Sequence, residues 1–140
     1  MKVHHAMEFV GRHHKGVLAT VRSNGLPQMS NIVFSAIDGA VWVSVTDGRA
    51  KTANLRREPR AVLHVTTTEF TEYAVMECDA ELTDVALDPT DATIAALRRL
   101  YRNISGEHPD WDEFDRAMID DCRLVVKLYP VHCYGQLEAR

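Results

Sequence analysis

One short basic segment carries the residue types of an anion-binding site. It reads Thr46-Asp47-Gly48-Arg49-Ala50-Lys51-Thr52 and joins a strand-like run to a helix-like run. A helix N-terminus offers unpaired N–H groups and the positive end of the helix dipole. Cations there oppose the dipole, and a bound anion removes the conflict. The pattern therefore predicts an anion site at Arg49, Ala50, Lys51 and Thr52, and a solvated basic turn is the alternative.

The charge of this segment contrasts with that of the rest of the chain. Residues 49–60 carry a net charge of +4, whereas the other 128 residues carry −8, which gives −4 overall. An acidic surrounding repels phosphate backbones, so we expect no nucleic-acid partner. A local cation cluster in an acidic protein favours a small anionic ligand instead.

A second group of polar residues interrupts an otherwise apolar strand. Gln28 and Ser30 share one face of the predicted strand, and alternation places Asn31 on the other. Buried polar groups require hydrogen-bond partners. A planar heterocycle could supply them, and exposure to solvent on an open side of the barrel is the other interpretation.

The remaining reactive residue types do not form a recognisable catalytic or metal site. The spacing of the histidines is unlike that of zinc-binding helices, so we expect no metal, and His64 is expected to be a hydrogen-bonded core residue. Alternation assigns Cys78 to the core, where a thiol is unreactive. No nucleophile motif for hydrolysis is visible, so an enzymatic function would depend on a cofactor.

Periodicity and turn residues predict the elements that position these groups. The 140 residues fit a single domain, 1–140, that lacks long apolar runs, and we expect a cytoplasmic protein that does not bind membranes. Six or seven mostly antiparallel strands with short helices favour an α+β barrel. The predicted strands are 16–22, 27–37, 40–46, 60–65, 73–82, 122–129 and 131–136, and the predicted helices are 4–13, 49–57, one that opens at Asp88-Pro89, and one that contains Trp111, Phe114 and Met118.

Three stretches of the sequence resemble a known family. They are His14–Thr20 continuing through Gly25–Asn31, then Gly48–Arg56, and then Tyr101–Trp111. Together they resemble the pyridoxamine-phosphate-oxidase-like flavin and deazaflavin oxidoreductases, and more narrowly the small actinobacterial subgroup that uses coenzyme F420. The similarity runs collinearly from about His14 to Gly135.

The resemblance implies a split β-barrel homodimer with two cofactor sites at the subunit interface. It implies that the cofactor phosphate is held by the basic turn, with Asn54 nearby, and that Lys15, Arg56 and Arg57 are candidates for contact with the oligoglutamyl tail. The tricyclic ring would lie against the second and third strands, and Tyr73 would reach in from the partner subunit. The implied ring-contacting residues of those strands are Gln28, Ser30, Asn31, Ser44, Val45 and Thr46.

The activity implied by the resemblance is hydride transfer between reduced F420 and an unsaturated or quinone-like small molecule. Two alternatives remain open, namely an FMN-dependent oxidase or reductase of the same fold and a non-catalytic F420-binding or carrier protein. The founding family ends in an Arg-x-His substrate motif, whereas this chain reads Val131-His132-Cys133-Tyr134-Gly135. The missing arginine argues against vitamin B6 oxidation.

Overall fold

The computed structural model describes residues 1–138, and residues 139–140 of the predicted domain lie outside the described residues. The described chain contains six strands and four helices. In chain order these are α1 (Val3–Val10), β1 (Lys15–Val21), β2 (Pro27–Ile37), β3 (Ala40–Thr46), α2 (Ala50–Arg57), β4 (Arg60–Thr66), β5 (Tyr73–Leu82), α3 (Ala92–Ser105), α4 (Trp111–Asp120) and β6 (Arg123–Gln136). Within residues 1–138, every helix is too short or too polar to cross a lipid bilayer.

The six strands form a closed antiparallel barrel in the order β1-β2-β3-β6-β5-β4, and β1 pairs with β4 to complete it. The alternation that the sequence displays places one side-chain face inside, where Leu18, Phe34, Leu63 and Met76 are fully buried. Phe9 of α1 and Leu55 of α2 belong to the same core. The predicted α+β antiparallel barrel is therefore confirmed.

A second apolar core lies outside the barrel. The apolar faces of α3 and α4 pack on the outer surface of β3 and β6, where Leu97, Leu100 and Phe114 join Trp42 and Val125. These helical residues recur at the three- and four-residue spacing of one helix face. The two helices therefore cover one part of the barrel wall. A cavity lies beside this contact, between the helices and the strands.

The two predicted C-terminal strands are one strand of 14 residues, β6. Pro130, which has no N–H to donate, faces Cys78 at a register shift in the pairing with β5, and the next paired residues are Glu77 and His132. A β-bulge tolerates proline because the strand ladder is already interrupted there. The prediction of a break at Pro130 was wrong for this reason.

The third helix begins later than the sequence predicts. It starts at Ala92 instead of Asp88, because the Asp91 side chain accepts a hydrogen bond from the Ile94 N–H at 2.8 Å and caps the helix. The Asp88 carboxylate instead accepts hydrogen bonds from the Thr90 N–H and hydroxyl. The predicted core position of His64 is also wrong, since its side chain is only half-buried and its ring centroid lies 5.7 Å from that of Tyr73.

Candidate functional site

A cavity of about 580 Å³ lies between the outer barrel wall and the two helices α3 and α4. Its volume is within the range of small-molecule and cofactor sites. Strands β2, β3 and β6 form one wall, the α3–α4 pair forms the opposite wall, and the turn before α2 contributes two cations. The lining residues are Asn31, Ile32, Val33, Val43, Ser44, Val45, Thr46, Arg49, Lys51, Leu97, Leu100, Tyr101, Ile104, Ser105, Phe114, Met118 and Arg123.

The turn between β3 and α2 gives the cavity its positive charge. Arg49 is the N-cap residue of α2, its side chain makes no capping hydrogen bond, and the first turn of the helix contains no acidic residue. The nearby Asp47 carboxylate is 2.5 Å from the Arg56 guanidinium, which neutralises it. The N-terminus of α2 therefore lacks the carboxylate or hydroxyl acceptor that helices normally place there.

The pKa of Lys51 reflects the positive charge on this side of the cavity. Partial burial lowers the pKa of its ammonium group, and the positive charges of Arg49 and Arg123 lower it further. Three cations therefore face the cavity, whereas none of its described lining residues is acidic. A bound anion would stabilise all three charges at once.

Arg123 enters the cavity from β6. Its Cα pairs with Thr46 in the antiparallel ladder, and the Asp47 N–H donates to the Cys122 carbonyl at 3.0 Å, which ties the start of β6 to the end of β3. The Arg123 side chain extends along the outer wall until its Nη1 reaches the Ser44 hydroxyl at 3.4 Å. The basic turn and the first residue of β6 thus share one side of the cavity.

The opposite wall is apolar and is fixed by two ion pairs. Arg98 of α3 donates two hydrogen bonds to Asp115 of α4, at 2.9 and 2.6 Å, and the Asp115 side chain is only 3% exposed. Arg99 makes a similar two-point contact with Asp38 in the β2–β3 turn. The first pair locks the two helices together, and the second ties α3 to the barrel.

The connection between α3 and α4 is also ordered by named contacts. The Glu107 carboxylate accepts from Arg102 at 2.9 Å and from the Trp111 indole N–H at 3.1 Å, and both contacts lower its pKa. Tyr101 packs against the rings of Trp111 and Phe114. Tyr101 and Phe114, which both line the cavity, therefore pack against each other and against Trp111.

Half of the predicted site residues line this cavity, and they come from three separate chain segments. These residues are Asn31, Ser44, Val45, Thr46, Arg49 and Lys51. The others, Gln28, Ser30, Ala50, Thr52, Asn54 and Tyr73, do not line it. For these six residues, contact with a cofactor stays a prediction.

Gln28 and Ser30 find partners inside the protein. Asn54 donates to the Thr20 hydroxyl at 3.1 Å, Thr20 donates to the Gln28 side-chain oxygen at 3.2 Å, and the Gln28 amide donates to Ser30 at 3.0 Å. This chain of hydrogen bonds joins α2 to β1 and β2. The side chains of Gln28 and Ser30 therefore have hydrogen-bond partners within the protein and do not need a ligand to supply them.

Thr52 also has a polar partner within the protein, and so do Arg56 and Arg57, the arginines suggested for contact with the oligoglutamyl tail. The Thr52 hydroxyl donates to the Thr46 carbonyl at 2.8 Å, which ties α2 to the end of β3. Arg56 pairs with Asp47, and Arg57 donates to the Val21 carbonyl and to Asn54. Ala50 and Lys15 are exposed at the starts of α2 and β1.

Tyr73 does not line the cavity of its own chain. It pairs with Gln136, the last residue of β6, whereas Arg123 is the first residue of that strand. Contact between Tyr73 and a ligand held by the partner subunit stays a prediction.

Arg123 and the apolar α3–α4 wall are the parts of the cavity that the sequence predictions missed. Arg123 stands opposite Leu124 in the alternation of its strand, so an outward position was readable. Its proximity to the basic turn depends on the pairing of β3 with β6, 77 residues apart between Thr46 and Arg123. The sequence shows that α3 and α4 each have an apolar face. It does not show that these faces stand over the outer wall of the barrel and enclose a cavity.

The two buried cysteines, Cys78 and Cys133, do not carry reactive thiols. Cys78 is 2% exposed, and burial raises the pKa of its thiol to about 12. Burial also raises the pKa of Cys133. The predicted core position of Cys78 is confirmed, and both thiols stay protonated near neutral pH. Among residues 1–138, no three His, Cys, Asp or Glu side chains are grouped as a metal site.

The fold and the cavity define a class of protein, the closed antiparallel barrels that carry a helix pair and a cavity on their outer wall. The sequence pattern of the pyridoxamine 5'-phosphate oxidase family matches residues 3–129 of this chain. Because this match covers most of the chain, the protein belongs to the pyridoxamine 5'-phosphate oxidase family. The resemblance to this family seen in the sequence is thereby confirmed, and the narrower resemblance to the F420-using subgroup stays a prediction.

Solved structures share the same fold. A conserved hypothetical protein from Mycobacterium tuberculosis superimposes with a TM-score of 0.75 at 22% identity, covering 96% of this chain and 84% of the other. A protein described as an F420 reductase gives 0.68 at 22% identity, with 91% and 94% covered. A pyridoxamine 5'-phosphate oxidase-related, FMN-binding protein from Nostoc punctiforme gives 0.64 at 18% identity, with 95% and 78% covered. At these identities the likeness establishes the split-barrel fold.

Proposed function

We propose that this protein binds coenzyme F420 in the cavity between the barrel wall and α3–α4 and reduces an unsaturated or quinone-like small molecule. The observation that carries the proposal is the wall on which Arg49, Lys51 and Arg123 meet around a cavity whose described lining has no acidic residue. A phosphate-bearing cofactor supplies the anion that this wall requires. The resemblance to the F420-using subgroup and the likeness to the F420 reductase support this choice of cofactor.

The residues of the cavity suit a cofactor with a charged end and a flat apolar end. The cations would bind the phosphate, and the backbone N–H groups of Ala50 and Lys51 at the start of α2 would add hydrogen bonds to it. Ser44, Thr46 and Asn31 provide polar contacts along the strand wall. Reduced F420, when bound, supplies a hydride from its ring.

The protein's own contribution to the reaction is binding, orientation and exclusion of water. Leu97, Leu100, Tyr101 and Phe114 cover the side of the cavity that faces the strands, which keeps the reacting faces of the two molecules in a dry environment. The Arg98–Asp115 pair holds the two helices of this cover together, and the Arg99–Asp38 pair ties α3 to the barrel. Positioning of two planes against each other is the main requirement for hydride transfer.

We further propose that the active form is a homodimer whose cofactor sites lie at the subunit interface. Asn31 and Val33 line the cavity and also belong to the outward face of β2, which continues to the exposed Met29. Tyr134, on the outward face of β6 beside Val75, is exposed as well. An apolar outer face that runs into the cavity favours a second copy of the chain as its cover.

An FMN-dependent reductase of the same fold is the second candidate, and the likeness to the FMN-binding protein from Nostoc punctiforme is the observation that favours it. Titration of F420 and FMN into one preparation, followed by fluorescence, separates the two. Tight binding of F420 and weak binding of FMN is the expected result. The reverse order would establish the FMN assignment, and binding of neither would overturn the proposed cofactor function.

Turnover distinguishes the reductase from an F420 carrier. Once F420 binding is established, reduced F420 is mixed with a panel of enones and quinones, and its reoxidation is followed by absorbance. Acceleration over a protein-free control supports the reductase. Stoichiometric binding with no acceleration for any acceptor would support the carrier.

A further inference from the structure

Arg123 is placed in the cavity by a long-range strand pairing. It stands opposite Thr46 in the β3–β6 ladder, two residues along β3 from the Ser44 hydroxyl that its Nη1 contacts. The side chain is 31% exposed, so most of it is sheltered by the wall. Its position is therefore fixed by the barrel and does not depend on the basic turn.

The guanidinium of Arg123 has unused hydrogen-bonding capacity. Its Nε is buried and has no hydrogen-bond partner among the described residues. The Asp121 carboxylate oxygen lies 3.6 Å from this atom, which is beyond hydrogen-bond distance, and the contact to Ser44 is long at 3.4 Å. A guanidinium has five N–H donors, and a buried donor without a partner is costly. The two Nη atoms carry four of these donors and make one side-chain hydrogen bond among the described residues, to Ser44, so an oxygen-rich anion in the cavity can bind the others.

The cations around Arg123 favour a phosphoryl group over a single carboxylate. Arg49 and Lys51 line the same cavity, and Arg123 helps to lower the pKa of Lys51. The planar fork of an arginine binds two phosphoryl oxygens at once, whereas an ammonium group acts as a point charge. A tetrahedral group of several oxygens can engage donors from the turn and from β6 together.

We propose that Arg123, oriented by Ser44, is a third phosphoryl-binding residue, which completes from β6 the site formed by Arg49 and Lys51. This inference rests on the proposed function, in which the cavity holds a phosphate-bearing cofactor. The phosphoryl group can belong to F420 or to FMN, and the chemistry recognised is the same. Arg123 thus joins the cofactor to the barrel itself as well as to α2.

The test compares ligands that differ by the phosphate. FMN is paired with riboflavin, and F420 is paired with its phosphate-free deazaflavin chromophore, and each is titrated by fluorescence. Arg123→Met is expected to weaken binding of the phosphate-bearing member about tenfold or more, because it removes charge-assisted hydrogen bonds. Binding of the phosphate-free member should change by less than about twofold, and Arg123→Lys should recover part of the loss.

Arg116→Met is the matched control, since Arg116 is exposed on α4 and does not line the cavity. It should leave both members of each pair unaffected. Equal losses for the phosphate-bearing and phosphate-free ligands in Arg123→Met would overturn the proposal, and so would no loss for either.

A separate measurement covers the case in which the wild-type protein binds none of the four ligands, so that the proposed function fails. The melting temperature is then measured with and without inorganic pyrophosphate. A rise for the wild-type protein that disappears in Arg123→Met and persists in Arg116→Met supports a phosphoryl site at Arg123. No rise, or an equal rise in all three proteins, overturns it.

Discussion

Two cations at the start of α2 differ in environment from the other basic residues of the segment 49–60. Arg49 and Lys51 face the cavity, whereas Arg56, Arg57 and Arg60 make contacts with Asp47, Val21 and Glu58, respectively. The +4 charge of residues 49–60 is therefore divided between a ligand-facing pair and residues that stabilise the local structure. Mutations of Arg49 or Lys51 should therefore lower ligand affinity, whereas mutations of the other basic residues in 49–60 should mainly affect local stability.

Lys51→Ala is expected to weaken binding of the phosphate-bearing cofactor about tenfold or more, because it removes one charge-assisted contact. Arg60→Ala is the control, since Arg60 is exposed, pairs with Glu58 and lines a smaller cavity of about 340 Å³ elsewhere on the barrel. Fluorescence titration of both variants provides the measurement. Equal losses in the two variants would contradict a phosphate contact at Lys51.

The lowered pKa of Lys51 gives the binding reaction an alkaline limit. An anion binds the charged ammonium form, so affinity is complete below the pKa of Lys51 in the free protein and falls as the pH rises through it. Because that pKa is below its ordinary range, the fall begins at a lower pH than for an ordinary lysine. Affinity for FMN measured from about pH 7.5 upward, where its phosphate is a dianion, reports the effect.

Lys51→Arg is the matched variant for this pH series, because a guanidinium stays charged throughout the range. Its affinity should stay level where that of the wild-type protein declines. Parallel declines in both proteins would assign the pH dependence to a group other than Lys51.

The α3–α4 pair is the element that encloses the site, and one buried ion pair holds it together. Arg98→Ala leaves the Asp115 carboxylate, 3% exposed, without its two-point partner. Removal of one partner from such a pair lowers the free energy of unfolding by about 3 kcal/mol. Urea denaturation measures this loss, and cofactor affinity should fall as well, because the apolar wall moves.

Arg99→Ala controls for the loss of an arginine from α3. Its partner Asp38 is 66% exposed, and ion pairs in contact with solvent contribute little to stability. A loss for Arg99→Ala as large as that for Arg98→Ala would show that general helix stability, and not the buried pair, determines the result.

The proposed dimer gives the whole molecule a property that no single chain has. If Tyr73 serves the cavity of the partner subunit, Lys51→Ala and Tyr73→Ala damage the same site from different chains. A mixed dimer of the two variants then contains one site with both residues intact. After unfolding and refolding of an equal mixture, about one quarter of all sites should be restored, since half of the dimers are mixed.

Cofactor titration of the refolded mixture, beside each variant refolded alone, measures this restoration. Light scattering on the same samples confirms the two-chain mass. A mixture that binds no better than the average of its components would contradict a site shared between chains.

Local patterns in the sequence predict most of the barrel but only six of the 17 residues that line the cavity. Alternating strands, the Asn24-Gly25 and Asp38-Gly39 turns, and the apolar faces of α3 and α4 are short-range signals, and the elements they predict are present. The hydrogen bond from Asn54 to Thr20 is different in kind, because these residues are 34 positions apart and meet only after the chain has folded. Arg123 likewise reaches the basic turn only through the β3–β6 pairing.

The bulge at Pro130 divides β6 into two halves with opposite phase. Before it, even-numbered residues such as Leu128 face the core, and after it the odd-numbered Cys133 does. Val131 is the extra residue of this bulge, so its deletion would restore regular alternation, keep Cys133 inside and His132 outside, and leave Arg123 and Ser44 in place. The last segment of β6 can therefore gain or lose one residue at the bulge without disturbing the cation wall at the other end of the strand.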